Sequence, residues 1–357
     1  MLSAPLVHGA YRGGPSHLPG FSLVCDFKRG LYRRGVGRGR MASSFLHLPG
    51  ASYVRSGADL VLNTPQGLRR FAANVPPIVS GYGMESPDAV TNLWPGHSFP
   101  SNSTEGLTSS SNLNSSTRTW IARADLPAPV LAALNRIDPQ GHVLGLVRIT
   151  AAGGEIAGAN ILVTLPATGT YALSLFAYVT AGTWGLSTSG NVGIGQGTLA
   201  TPNGEFTRVT NVVDFATLTN GRFRTTSGGE AGWEAYVFGV QVAQKGYVTP
   251  LCVTSGAQAS RGAPIAKIAG LSEQFGAGYT LAVRGRLPPV TPANPSSEVL
   301  VWANEEGASA QFNFRRAGSG GTTAIGISGA TNIGTADPGN NPIAFALRVN
   351  EATGDSR

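Results

Sequence analysis

From Val143 to the end of the chain, short runs of alternating apolar and polar residues are cut at intervals by glycine and small polar residues. Val143, Gly145, Val147 and Ile149 share one parity, as do Tyr171, Leu173, Leu175 and Val179. Tyr236, Phe238, Val240 and Val242 follow, with Gln241 opposite. Successive strand residues point to opposite faces, so this period of two predicts half-buried antiparallel strands. A second series runs through Leu281, Val283 and Leu287, then Val299 and Val301, Phe312 and Phe314, and Ile343, Phe345, Leu347 and Val349. Turn signals such as Gly193 to Gly197 and Ser227-Gly228-Gly229 separate the runs. One segment, Asp125 to Ile137, has helical spacing, with Asp125 as its cap and Pro127 in its first turn. The pattern predicts an all-β protein of tandem antiparallel β-sandwich modules.

Composition agrees with that fold class. Of 357 residues only 13% are charged, while 49 are Gly and 23 are Pro. Glycine supplies positive φ and proline fixes φ at turn corners, which suits short strands and suits helices poorly. The length fits two or three domains. Residues 1–50 read as a basic Gly/Arg-rich arm containing one strand candidate, Phe21 to Phe27. Residues 51–119 read as an extended leader with Pro65, Pro76, Pro77 and Pro87, ending in a polar linker from Ser98 to Thr119. Trp94 and Trp120 flank that linker and anchor it. A first sandwich is expected over 120–250 and a second over 251–357, the latter offering too few strands for a complete module.

The formal net charge is +7, and six basic residues fall between Lys28 and Arg40: Lys28, Arg29, Arg33, Arg34, Arg38 and Arg40. No aromatic platform follows them. The run is therefore read as a solvated arm packing on other subunits rather than as a nucleic-acid contact. Cys25 and Cys252 match no metal spacing, and paired and reduced states both fit. No apolar run reaches the length of a membrane span, and the N-terminus lacks the pattern of a signal peptide.

Catalysis finds little support. There is no Gly-x-Ser-x-Gly elbow, and the glycine runs lack the lysine of a phosphate loop. Glu230 with Glu234 and Glu305 with Glu306 are the candidate carboxylate pairs for glycan cleavage, and solvated loop acids are the preferred reading. No catalytic residue, cofactor or metal is assigned; Asp337 alone does not make a calcium site.

Three stretches resemble phage tail-fibre and head-spike proteins with carbohydrate-binding-module-like and concanavalin-like lectin sandwiches. The first runs through Ala51-Ser52-Tyr53-Val54-Arg55, Phe71 to Pro76, Met84-Glu85 and Thr91-Asn92-Leu93. The second pairs Phe206-Thr207-Arg208-Val209 with Tyr236 to Gln241, and the third is Thr249-Pro250 through Ala257 to Arg261. Pro77 stands where the family leader has Arg, and Phe206 and Phe238 replace tryptophans. The resemblance implies jelly-roll or lectin-like modules on a virion surface, other virion proteins as partners, and a homotrimer. It implies attachment to host-surface polysaccharide without enzymatic activity. A purely structural decoration or connector protein is the alternative, and a polysaccharide depolymerase ranks below it.

Sugar binding calls for exposed aromatic faces with polar groups beside them. Trp184 sits after a turn; Trp233 precedes a strand with Glu234 beside it; Trp302 is followed by Asn304. These five residues are the expected carbohydrate contacts.

Overall fold

In the computed structural model nearly every regular element is a strand, and every strand pairing is antiparallel. The structure describes residues 2–3, 23–34, 40–85, 87–100, 107–109, 116–151, 159–188, 198, 200–215, 221–227 and 233–268. It also describes the strand segments 278–285, 296–303, 311–317, 322–327, 331–336, 343–350 and 355–356. The all-β fold class holds. The chain forms two units: residues 1–54, 74–86 and 264–357 in one, residues 55–73 and 87–263 in the other.

In the first unit the basic segment is folded rather than a loose arm. Leu23–Asp26, Leu31–Arg34 and Arg40–Ala42 form a three-stranded sheet. Its first turn is fixed locally: Gly30 takes φ +67° and the Asp26 carboxylate accepts from the Arg29 N–H at 3.0 Å. Phe27, Tyr32 and Phe45 pack edge-on or tilted over Cys25, and Arg33 is buried at 1% exposure. Period-two side chains on short strands around one apolar cluster override the glycine-rich look of the sequence. Arg38 lies outside the described residues. The same unit holds the pairing of Ala51–Val54 with Ile265–Ile268 and a four-stranded meander from Ser296 to Ala336. Ile343–Asn350 and Gly278–Gly285 lie in a further sheet.

The second unit contains, in chain order, β1 (Leu60–Thr64), β2 (Gly67–Phe71), β3 (Val90–Asn92), β4 (Leu107–Ser109) and β5 (Ser116–Ala122). After them come α1 (Ala128–Ile137), β6 (Gly145–Ala151), β7 (Ala159–Val163), β8 (Gly169–Ala181) and β9 (Trp184–Thr188). The last are β10 (Thr207–Phe215), β11 (Gly221–Ser227), β12 (Trp233–Ala243), β13 (Leu251–Cys252) and β14 (Ala259–Arg261). A five-stranded sheet has the order β5-β6-β12-β8-β10, and a four-stranded one the order β4-β7-β11-β9.

The expected linker is therefore corrected. Its described parts supply strands to both sheets: β4 pairs with β7, and β5 pairs along its whole length with β6. Ser98 is fully buried, its hydroxyl bonded to Thr254 Oγ1 at 2.9 Å and its carbonyl accepting from the Gly239 N–H at 2.7 Å. Polar Ser and Thr side chains suit an edge strand as well as a loop, which is why composition misled here. Trp94 does anchor its segment, with 1% exposure in the main core. Trp120 donates from Nε1 to the Pro100 carbonyl at 3.3 Å. The leader before it is strand-rich too: β1 and β2 form a hairpin that closes on β13.

The five-stranded sheet is covered on both faces, so its central strands are not half-buried. In β8 nine consecutive residues, Tyr171 to Val179, are buried. On one face Val147, Ile149, Leu173, Leu175, Val237 and Val242 pack with Val163 of β7 and with Trp184 and Leu186 of β9. That cluster joins the five- and four-stranded sheets. On the other face Leu146, Phe176, Tyr178, Tyr236 and Phe238 pack with Val130, Ala133 and Leu134 of α1, and with Val61 and Leu68 of the hairpin.

Two parities differ from expectation. Tyr236 and Phe238 face α1, whereas Val240 and Val242 lie in the opposite cluster. The cause is a bulge: Ser174 opposes Gln241 and Phe176 opposes Phe238, so Gly239 and Val240 together face the single Leu175. Gly239 takes φ +69°, and a Cβ there would lie 2.9 Å from the Phe176 ring. Val143 likewise falls in the α1 cluster, apart from Val147 and Ile149. The helix starts after Pro127, with Pro129 in its first turn. Asp125 ends a preceding 3-10 turn and does not cap it.

Candidate functional site

The face of the five-stranded sheet that carries α1 changes character along the strands, and register fixes how. Ile121 opposes Leu146, and Phe176 opposes both Phe238 and Arg208, giving a mostly apolar row beneath the helix side. In the next row Thr119, Arg148, Tyr236 and Tyr178 stand opposite one another across four strands. In the row beyond, Thr117 opposes Thr150, which opposes Glu234. Thr117, Thr119 and Thr180 are exposed and Thr150 is partly so. The face thus runs from packed aromatics to an open end lined by hydroxyls and one ion pair.

That ion pair organises the open end. Arg148 donates from Nη2 to Glu234 Oε2 at 2.7 Å, with the side chains 42% and 24% exposed. The bond to Glu234 holds the Arg148 guanidinium charged, pushing its pKa up. Burial, and then the hydrogen bond with Glu234, push the Tyr236 hydroxyl up to about 12. Thr117 and Thr150 share a short hydroxyl–hydroxyl bond, and Thr180 Oγ1 donates to the Glu234 carbonyl at 3.3 Å. On the same face, the Phe206 ring sits 5.5 Å from Tyr178 and 5.4 Å from Phe238. Fixed hydroxyls, a guanidinium and a carboxylate beside aromatic rings form a shallow surface suited to vicinal hydroxyl groups.

The expected contacts fare unevenly. Glu234 lies in this patch. Trp184 does not: it is 0% exposed, its ring lies in the core with Leu186, and its backbone exchanges two hydrogen bonds with Ala200 at 2.7 and 2.8 Å. Gly182, at φ +73°, makes the turn before it, so Trp184 opens the next strand pointing inward and has no face for a sugar. Trp233 begins β12, paired with Ala151, and Trp302 lies in the Ser296–Ala303 strand; both side chains lie outside the described residues. Asn304, Glu230, Glu305, Glu306 and Asp337 also lie outside them. Sequence reasoning missed Arg148, Thr117, Thr119, Thr150 and Thr180. Their polar parity on strands was legible, but their meeting with Glu234 depends on register.

Among the described residues, no group of three His, Cys, Asp or Glu side chains could hold a metal ion. No helix among them is long and apolar enough to cross a membrane. Cys25 and Cys252 are buried free thiols, and burial pushes the Cys25 thiol up to about 12.

The quoted motif residues become buried hydrogen-bond nodes of the second unit. Asn92 donates from Nδ2 to the Val240 and Cys252 carbonyls and accepts at Oδ1 from the Trp94 and Val242 N–H groups. Gln241 donates to Thr249 Oγ1 at 3.0 Å and accepts from the Cys252 N–H at 2.6 Å. Arg55 donates to the Ala58, Phe71 and Ala72 carbonyls, and Arg261 to those of Pro250 and Asp88. These residues hold loops to strands; they do not line the patch. No protein-family model matches this chain, and no curated protein sequence matches it.

Proposed function

We propose that this chain is a non-enzymatic surface component of a phage or phage-like particle that holds host-surface polysaccharide at the open end of its five-stranded sheet. The observation that carries the glycan part is the Arg148–Glu234 pair standing among Thr117, Thr119, Thr150 and Thr180 beside the buried Tyr178 and Tyr236. A flat polar patch of this kind can exchange several hydrogen bonds with sugar hydroxyls, each weak alone. The two sheets that share one apolar layer suit a sandwich of the carbohydrate-binding-module or jelly-roll kind. The resemblance of the leader and closing strands to phage spikes and fibres supports the placement on a virion, among other virion proteins. A homotrimer would turn weak contacts into firm attachment through effective concentration. The patch holds one carboxylate among the described residues, and Arg148 neutralises it, whereas glycosidic cleavage needs two acids with separate roles.

Binding of the purified chain to host-derived polysaccharide, measured by calorimetry, tests this reading. Glu234→Gln and Arg148→Met are each expected to weaken binding about tenfold, a loss of roughly 1.4 kcal/mol. Stability should change by about 1 kcal/mol or less, because the pair is partly exposed. Unchanged affinity in both variants would remove the patch from the function. One observation favours the alternative of a structural connector: Val54 and Ile265 stand opposite each other in the first unit, 55% and 63% exposed. An apolar pair of this kind is what an assembly contact covers. A chain that binds no polysaccharide yet assembles with particle proteins would establish that reading.

A further inference from the structure

Arg208 of the second unit is held by neutral acceptors. It lies on β10 opposite Phe176, its guanidinium carbon 5.6 Å from the centre of that ring. Nη2 donates to the Thr249 carbonyl at 2.7 Å and to Ser174 Oγ at 3.1 Å. Nε is closed off from solvent and has no partner, and no carboxylate pairs with Arg208 among the described residues. The contrast with Arg148 and Arg123 is direct, since those donate to Glu234 and to Asp138 at 2.7 Å each. The residue keeps partial exposure, and among the described residues Nη1 has no hydrogen-bond partner and is not among the closed-off atoms.

We propose that Arg208 anchors a carboxylate-binding subsite, which takes the carboxylate of an acidic sugar such as a hexuronate. The sugar part rests on the glycan reading above; the anion part does not. A cation drawn partly out of water is costly unless an anion and hydrogen bonds satisfy it. Here neutral acceptors take two of its donors and hold the planar fork still, while the charge itself has no counterpart among the described residues. The strain shows in its acidity: burial pulls the guanidinium down to about 10. A carboxylate arriving at Nη1 restores the missing charge, and a guanidinium already fixed by Ser174 and Thr249 loses little freedom on binding it. The Phe176 ring supplies an apolar wall beside it.

The test is fluorescence-monitored melting of the full chain in sodium glucuronate, sodium acetate, glucose, and sodium chloride at matched ionic strength. Glucuronate is expected to raise the midpoint by about 2–4 °C over chloride once it exceeds its dissociation constant several-fold, and glucose not at all. Arg208→Met should abolish the rise. Should that variant fail to fold, Arg208→Lys replaces the fork by a shorter-reaching point charge and should lose half the rise or more. A rise undiminished in either variant, or no rise in the wild type, overturns the proposal. Arg208-dependent stabilisation by acetate and glucuronate without any polysaccharide binding upholds the carboxylate subsite and removes the glycan reading. Polysaccharide binding that depends on Glu234 but brings no glucuronate response does the reverse.

Discussion

One face of the five-stranded sheet has two ends, and they are built on opposite rules. Under α1 and the β1–β2 hairpin, Phe176 and Phe238 stack 5.0 Å apart at 12°, and nearly every side chain is apolar and buried. Two rows of strand partners beyond, Thr117, Thr150 and Glu234 meet solvent, with Arg148 closing the ion pair. The backbone is the same antiparallel ladder in both places. What differs is cover: where another element lies over the sheet the face must be apolar, and where the cover stops hydroxyls and charges can be held in fixed array. Strand rigidity from the packed end is thereby lent to the open one, which is how a sheet positions a binding surface without a deep pocket.

The comparison can be broken at the packed layers first. Trp184→Ala removes one of the two indole rings of the cluster shared by the two sheets and should cost about 3–5 kcal/mol in urea denaturation. A loss below about 1 kcal/mol would mean that this layer does not depend on that ring. Gly239→Ala comes next. It forces an alanine to φ +69° with its Cβ 2.9 Å from the Phe176 ring, an expected cost of about 1–3 kcal/mol. If the bulge sets the patch, the same variant also weakens polysaccharide binding, because the phase of Glu234 and Tyr236 relative to β8 shifts.

The smallest effect sharpens the boundary row. Tyr236 has its hydroxyl raised from 10.0 to about 12, so the folded state keeps a proton that the unfolded chain gives up earlier. Its contribution is fully present below about pH 10 and is lost as pH climbs toward 12. Melting curves of wild type and Tyr236→Phe between pH 8 and 12 should converge as pH rises. Parallel curves would place the hydroxyl in water. Cys25 and Tyr32, raised by burial in the first unit, fall in an overlapping alkaline window and are unaffected by that substitution.

Much of this is legible in the sequence. The strand at Leu23–Asp26, the long strand through Tyr171 to Val179 and the helix ending at Ile137 all follow from local period and turn chemistry. Asn92 and Gln241 stood out within short motifs, though the four backbone partners of Asn92, and the two backbone groups and the Thr249 hydroxyl that bond Gln241, did not. Glu234 was picked for its neighbour Trp233, while its partner Arg148 lies 86 residues away.

Sequence alone thus determined the class of the fold, because alternation along a strand and the φ demands of glycine and proline are properties of neighbouring residues. Tertiary structure decided which faces are covered, where β12 changes phase at Gly239, that Trp184 turns inward, and that polar residues between Ser98 and Thr119 pair as edge strands. Those outcomes depend on register and on what packs across a sheet. Both are set by contacts between segments far apart in the chain, which no local pattern encodes.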